Sequence, residues 1–114
     1  MALQRYKLHI AYDGTNFHGW QQQILPSGQH LRTVQGELIK AMQRLFAQPI
    51  NLLGASRTDT GVHAVGQVAH FDVDSPIPVE RMAMAINGRM PADIEVRYAQ
   101  AVDFTFDAIK RAKN

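Results

Sequence analysis

The sequence lacks cysteine altogether. Disulfides, thiolate zinc sites and iron–sulfur clusters are therefore excluded. It also lacks an apolar run approaching the roughly twenty residues that span a membrane. Its first residues contain no apolar run of signal-peptide length. We therefore expect a cytoplasmic protein that does not contact a membrane.

A large charge of one sign is also missing. Lys and Arg number 12 and Asp and Glu number 10, which gives a formal net charge of +2. This slight basic excess suits an anionic partner without requiring one. The chain has 114 residues, of which 46% are hydrophobic, so it has enough apolar material for one folded domain.

Metal-binding patterns are absent as well. The histidines include neither a His-Glu-x-x-His motif nor a close pair at helical spacing, so we expect no metal site. There are five of them, His9, His18, His30, His63 and His70.

Apolar residues that alternate with polar ones predict four strands. The first pattern runs from Tyr6 to Tyr12 and ends at an Asp13-Gly14 turn signal. A long ordered loop over residues 14–32 is expected to follow. The other strands are predicted near residues 50–53, 65–73 and 94–98.

Two amphipathic helices are predicted between these strands. Thr33 caps the first and Pro49 ends it, while the second begins at Pro76 and Pro78 and ends at Gly88. The order βαββαβ predicts an α+β ferredoxin-like domain over residues 1–103. In that fold two helices cover one face of a four-stranded antiparallel sheet and leave the other face free. Residues 104–114 form a tail that either frays or docks.

The segment Arg57-Thr58-Asp59-Thr60-Gly61 lies between two predicted strands and places a carboxylate two residues from a guanidinium. Such a neighbour favours the ionised carboxylate, which a nucleophile or base requires. Taken alone, the pattern is more typical of a turn in which the Asp side chain caps backbone N–H groups.

Four blocks of sequence resemble the tRNA pseudouridine synthase A family in its order and spacing. They are Tyr12 to Gln21, Arg32 to Leu38, Ser56 to Ala64 and Ile86 to Ile94. Each block falls at the matching position in the predicted secondary structure, and this agreement is hard to obtain by chance. The resemblance implies isomerisation of uridine to pseudouridine within the anticodon stem-loop of tRNA, with no cofactor or metal.

The resemblance makes Asp59 the catalytic carboxylate, supported by Arg57, Thr58, Gly61 and His63. A basic side chain beside that carboxylate can hold the phosphodiester once the target base has left the stack. Arg57 is the candidate for this role. A simple salt bridge that orients Asp59 is the alternative, and the two roles can coexist.

RNA contacts are predicted on the first loop, at the start of the first helix and after the second helix. The residues are Phe17, His18, Trp20, Gln21, Gln35 and Arg89. The aromatic rings could stack on bases, and the polar groups could bond to phosphates or base edges. The alternatives are that Trp20 packs against the sheet and that Gln35 is an ordinary exposed residue of the helix.

Members of this family are more than twice as long and contain a second, similar half. The resemblance implies that this half supplies an aromatic side chain for the target base, and that the full enzymes are dimers. The tail is then where the second half would begin. The chain is either an N-terminal domain of a longer enzyme or a complete short protein that keeps the catalytic loop without turnover. In either case it is a candidate homodimer. The alternative function is a noncatalytic tRNA-binding or RNA-binding domain derived from the family.

Overall fold

A computed structural model describes residues 3–56 and 58–109. These residues form a four-stranded sheet with two helices, which confirms the predicted ferredoxin-like fold. The strands are β1 (Gln4–Tyr12), β2 (Leu53–Gly54), β3 (Ala64–Val73) and β4 (Ile94–Val102), and the helices are α1 (Val34–Phe46) and α2 (Val79–Asn87). The strand order is β2-β3-β1-β4, with every neighbouring pair antiparallel.

The core lies between one face of the sheet and the two helices. Alternate β1 residues from Tyr6 to Tyr12 are buried, as the period of two predicts. In the register Leu8 lies opposite Ala69 and Tyr6 opposite Phe71, so β1 and β3 present a continuous apolar surface. The helices cover it with fully buried side chains, which include Leu38, Met42, Met82 and Ile86.

Helix α1 begins as predicted and ends earlier. The Thr33 hydroxyl accepts a hydrogen bond from the Gly36 N–H, and Glu37 lies in the first turn. The helix ends at Phe46, because Ala47 adopts a left-handed conformation with φ of 56°. Pro49 therefore follows the helix end instead of causing it, a common arrangement.

Strand β2 is shorter and lies later than the predicted strand over residues 50–53. Its two residues, Leu53 and Gly54, pair with His70 and Ala69. The preceding Leu52 carbonyl accepts a 2.7 Å hydrogen bond from the Gln35 side chain. Since this carbonyl is bonded to a helix side chain, it is satisfied without a strand partner.

The opposite face of the sheet is partly covered, so the prediction that it is free is wrong. Residues 103–109 fold back onto it, with Ala108 fully buried. The Arg5 guanidinium donates to the carbonyls of Phe104 and Phe106 at 2.8 and 2.7 Å. The Ala108 N–H donates to His70 Nδ1 at 3.2 Å. Of the two behaviours predicted for the tail, this described part docks, while residues 110–114 lie outside the described residues.

Candidate active site

The Asp59 loop, defined here as residues 55–63, joins β2 to β3 at one end of the sheet. Asp59, Gly61 and His63 are exposed on it, and Thr58 is half-buried. Within the described residues no side chain bonds to the Asp59 carboxylate. Arg57 lies outside the described residues, so its role stays a prediction.

The Asp59 loop rests on a second loop, residues 13–20, which follows β1. The Trp20 N–H donates to the Thr58 carbonyl at 3.1 Å, and the Gly61 N–H donates to the Phe17 carbonyl at 3.2 Å. These two bonds flank Asp59 on either side in the chain. The backbone that carries the carboxylate is therefore held to the 13–20 loop at two points.

A side-chain contact fixes the residue before Asp59 a second time. The hydroxyls of Tyr12 and Thr58 lie 2.6 Å apart, and either can donate. Burial raises the pKa of Tyr12, which keeps its hydroxyl protonated. Thr58 is thus bonded through both its carbonyl and its hydroxyl, which restricts the direction in which Asp59 projects.

Glycines allow the two loops to approach closely. Gly19 has φ of 85°, and a Cβ there would lie 2.5 Å from the Thr58 carbonyl oxygen. A Cβ on Gly14 would clash with the Val62 carbonyl. Immediately before the Asp59 loop, at the end of β2, a Cβ on Gly54 would lie 2.6 Å from the Trp20 indole. Side chains at these glycines would push the loops apart.

His63 anchors the far end of the Asp59 loop. Its Nδ1 accepts a 2.9 Å hydrogen bond from the Gly14 N–H. Asp13 Oδ1 lies 3.1 Å from the same nitrogen. Both contacts join His63 to the 13–20 loop, and its supporting role in catalysis stays a prediction.

Gln67 supports the near end of the Asp59 loop, and it was not among the predicted site residues. Its buried side chain donates to the Ser56 carbonyl at 2.6 Å and accepts from the Val68 N–H at 3.1 Å. A signal for it was present in the sequence. Gln67 shares strand parity with Ala69 and Phe71, and a polar residue on a core face needs a specific partner.

Arg32 is a second supporting residue that the prediction missed. Its guanidinium forms two hydrogen bonds with the Asp93 carboxylate, at 3.1 and 3.0 Å, and a third with the Asn16 carbonyl. It also lies 4.1 Å from the centre of the Phe17 ring. The hydrogen bond to Asp93 raises the pKa of Arg32. Arg32 therefore ties the 13–20 loop to the start of β4.

The predicted RNA-contact residues of the first loop divide by burial. Phe17 and Trp20 are only 1% and 2% exposed, and their rings pack in the core, the alternative considered for Trp20. His18 and Gln21 are exposed. In this conformation the two polar side chains can meet a ligand, whereas the two rings support the loop.

Gln35 and Arg89 lie outside this loop pair. Gln35 is half-buried instead of exposed. Its side-chain amide bonds to two backbone groups: it donates to the Leu52 carbonyl at 2.7 Å and accepts from the Gln22 N–H at 2.8 Å. Arg89 bonds to the end of α2 through the carbonyls of Ile86 and Ala85. Among the described residues no hydrogen bond joins Arg89 to the Asp59 loop. Both RNA contacts stay predictions.

The site offers an exposed carboxylate on a firmly supported loop. Such a group can act as a nucleophile, a base or an electrostatic stabiliser without first breaking an internal bond. The described residues contain no cluster of three potential metal ligands. Over the same residues, neither helix is long and apolar enough to cross a membrane.

Comparison with known proteins identifies the family. Residues 8–109 match the family described as tRNA pseudouridine synthase. The chain belongs to the tRNA pseudouridine synthase family. The match spans both loops of the site, and therefore places Asp59 and its supporting residues inside the region characteristic of these synthases.

The chain is also similar to individual synthases of the family. The chain is 45% identical to the tRNA pseudouridine synthase A of Acetivibrio thermocellus over 97% of its own length and 43% of the relative's. It is 52% identical to the enzyme of that name from Thermosynechococcus vestitus, covering 87% of the chain and 33% of the relative. The Maridesulfovibrio salexigens synthase is 50% identical over 91% of the chain and 36% of the relative. The chain thus spans less than half the length of these relatives.

Proposed function

We propose that this chain is the Asp-bearing half of a tRNA pseudouridine synthase that converts uridine to pseudouridine in the anticodon stem-loop of tRNA. The observation that carries the proposal is the exposed Asp59, held between two backbone anchors in a chain that belongs to this family. The three relatives compared with this chain are named tRNA pseudouridine synthase A.

The chemistry needs a carboxylate and no external reactant. The C1′–N1 bond breaks, the uracil turns, and C5 bonds to C1′, while C5 loses a proton and N1 gains one. A carboxylate beside C1′ can add to that carbon, stabilise positive charge on it, or remove the proton. Asp59 is accessible for each of these roles, and Thr58, Gly61 and His63 hold the loop that presents it.

The target base must leave the helical stack to reach such a group. Arg57, two residues before Asp59, is the proposed group for holding the opened phosphodiester or for orienting Asp59. His18, Gln21 and Arg89, all exposed, are proposed to bond to the RNA. Gln35 would have to leave its two backbone partners, the Gln22 N–H and the Leu52 carbonyl, before its side chain could bond to RNA. Phe17 and Trp20 would have to leave the core before they could stack on a base.

Tritium release tests the proposal directly, because the C5 hydrogen leaves when C5 bonds to C1′. The substrate is unmodified tRNA labelled with [5-³H]uridine. The enzyme is this chain fused to the remaining C-terminal part of the Acetivibrio thermocellus relative, since the chain spans 43% of that protein. We expect release by the fusion and none after Asp59→Asn. Release by the Asp59→Asn fusion would remove Asp59 from the mechanism.

The alternative is a noncatalytic tRNA-binding or RNA-binding domain derived from the family. Retained tRNA binding without tritium release by the fusion would support it. The same labelled tRNA serves both measurements, so the two functions are separated in one experiment.

Homodimer formation and a cytoplasmic location also belong to this proposal. A tRNA substrate suits the cytoplasm, and the dimer follows from the resemblance to the full enzymes. Sedimentation velocity of the chain over a hundredfold concentration range tests pairing. A single monomeric species throughout would contradict it for this chain.

A further inference from the structure

A projecting hairpin separates the 13–20 loop from α1. The Leu25 N–H donates to the Gln29 carbonyl and the Gly28 N–H to the Leu25 carbonyl, both at 2.8 Å, while Ile24 and His30 form a bridge. Every residue from 21 to 30 is exposed. The hairpin is therefore an ordered structure that stands away from the core.

A cavity of about 650 Å³ lies between this hairpin and α1. His30 and Arg32 line it from the hairpin side, and Lys40 and Arg44 line it from the helix. Glu37 is the acidic residue among the lining residues. The concave surface therefore carries more positive than negative charge.

Among the residues that the structure describes, two of these cations form no ion pair. Arg32 is bonded to Asp93 and lies 4.0 Å from Glu37. Lys40 and Arg44 are exposed, and within residues 3–56 and 58–109 neither forms an ion pair. Four residues apart on a helix, they project from the same face, into the same cavity. Their charge is available to an external anion.

The backbone N–H groups in the first turn of α1 are already bonded within the protein, so they are not available to an anion in the cavity. The N–H groups of Val34 and Gln35 donate to the carbonyls of Gly19 and Trp20, at 3.2 and 2.9 Å. The Gly36 N–H is bonded to the Thr33 hydroxyl. The first turn of the helix is therefore closed, and an anion in the cavity would be held by side chains.

The geometry points to this cavity as a second RNA-binding surface, which takes backbone phosphates of tRNA between the hairpin and α1. Lys40 and Arg44 are the phosphate-binding residues, and His30 lies on the opposite wall. The inference rests on the proposed tRNA substrate. The surface joins the site through Trp20, whose N–H holds Thr58 and whose carbonyl accepts from the Gln35 N–H.

Salt dependence of tRNA binding tests this inference in the isolated chain. Each phosphate contact contributes about 0.9 to the slope of log affinity against log salt for a duplex. Fluorescence anisotropy with an unmodified tRNA transcript is measured from 50 to 300 mM salt. For the Lys40→Gln/Arg44→Gln variant we expect a slope lower by about 1 to 2 and affinity lower on the order of tenfold at 0.1 M salt.

Arg81→Gln is the matched control, because Arg81 is an exposed cation on α2 that does not line the cavity. It should leave the slope closer to that of the unaltered chain than Arg44→Gln does. Equal effects of the two single variants would reduce the result to general charge attraction and overturn the inference. Absence of tRNA binding by the unaltered chain would overturn it as well.

Two measurements separate this inference from the proposed chemistry. Tritium release by the fusion is expected to depend on Asp59, and the salt slope of the chain on Lys40 and Arg44. Suppose that Lys40→Gln/Arg44→Gln lowers the slope of log affinity against log salt as expected, while the fusion releases no tritium. This result would uphold the RNA-binding surface and reject the catalytic proposal.

Discussion

The two loops at the end of the sheet differ in burial and in what they contribute. The 13–20 loop places Phe17 and Trp20 in the core at 1% and 2% exposure. The Asp59 loop places Asp59 and its neighbours Thr60 and Gly61 in solvent. The first loop therefore supplies stability, and the second presents the proposed catalytic carboxylate to solvent. A site built this way can hold a carboxylate in position without burying it.

The residues that support the Asp59 loop lie far from it in the sequence. Tyr12 and Trp20 hold Thr58 although they lie about 40 residues before it, and the arrangement needs small residues where the loops cross. Substitutions in the supporting loop should then change stability and activity together. Substitutions of the exposed residues of the Asp59 loop should change activity alone.

The largest expected effect comes from removing a buried side chain of the 13–20 loop, which supports the Asp59 loop. Trp20→Ala removes a buried indole that packs on Gly54 and beside Tyr12. We expect a loss of about 3–5 kcal/mol in the free energy of unfolding. Asp59→Asn, in solvent, should change the same quantity by less than about 0.5 kcal/mol. Urea denaturation followed by circular dichroism measures both. Similar losses for the two variants would contradict the division between the loops.

A pair of glycines isolates the contact between the loops. Gly19 and Gly28 both have φ of 85°, but a Cβ meets Thr58 only at Gly19, and nothing lies within 4 Å at Gly28. Gly28→Ala should cost about 1 kcal/mol for its backbone conformation alone. Gly19→Ala should cost about 1–3 kcal/mol more, because a backbone atom must move. Thermal unfolding of the two variants gives the difference, and equal costs would show that the loops yield freely.

The hydroxyl contact before Asp59 gives a smaller effect. Tyr12→Phe removes one partner of the 2.6 Å hydrogen bond and should cost about 1 kcal/mol of stability. In the fusion it should lower the tritium-release rate at saturating tRNA more than it weakens tRNA binding. Thr58→Ser keeps the hydroxyl and should retain most of the rate that Thr58→Val loses. A pure loss of tRNA affinity would assign Tyr12 to binding instead of positioning.

The smallest effect concerns the far end of the sheet, where residues 103–109 dock. Burial, then the charge of Arg5, lowers the pKa of His70, while Asp107 and Asp72 oppose this. Lys7, on the same face, lies 5.4 Å from the Phe106 ring. The folded state thus disfavours the imidazolium. Protonation also removes the Nδ1 lone pair that accepts from the Ala108 N–H.

The docking contribution should therefore be complete above about pH 6.5, the ordinary His value, and be lost as the pH falls through the lower folded value. Hydrogen exchange of the Ala108 amide measures it, as protection relative to the intrinsic rate between pH 7.5 and 5. His70→Gln keeps an acceptor that does not titrate and should remove the pH dependence. Unchanged protection of the unaltered chain across this range would contradict the role of His70.

Much of the fold followed from local patterns. The alternation in β1 and the Thr33 cap of α1 were visible because each depends on neighbours in sequence. The exact span of β2 was not, because Gln35 takes the Leu52 carbonyl from a distant part of the chain. The docking of residues 103–109 depends on Arg5 and His70. Arg5 lies 101 residues before its partner Phe106 in the sequence.

For the site, the sequence by itself determined the residue types: a carboxylate at Asp59, glycines that permit close loops, and a resemblance that the family match confirms. Only the tertiary structure decided that Trp20 is buried support, and that Tyr12, Gln67 and Arg32 hold the two loops together. Local patterns report periodicity and turn chemistry. A hydrogen bond between segments distant in the chain leaves no periodic trace, since it forms only after the sheet has brought them together.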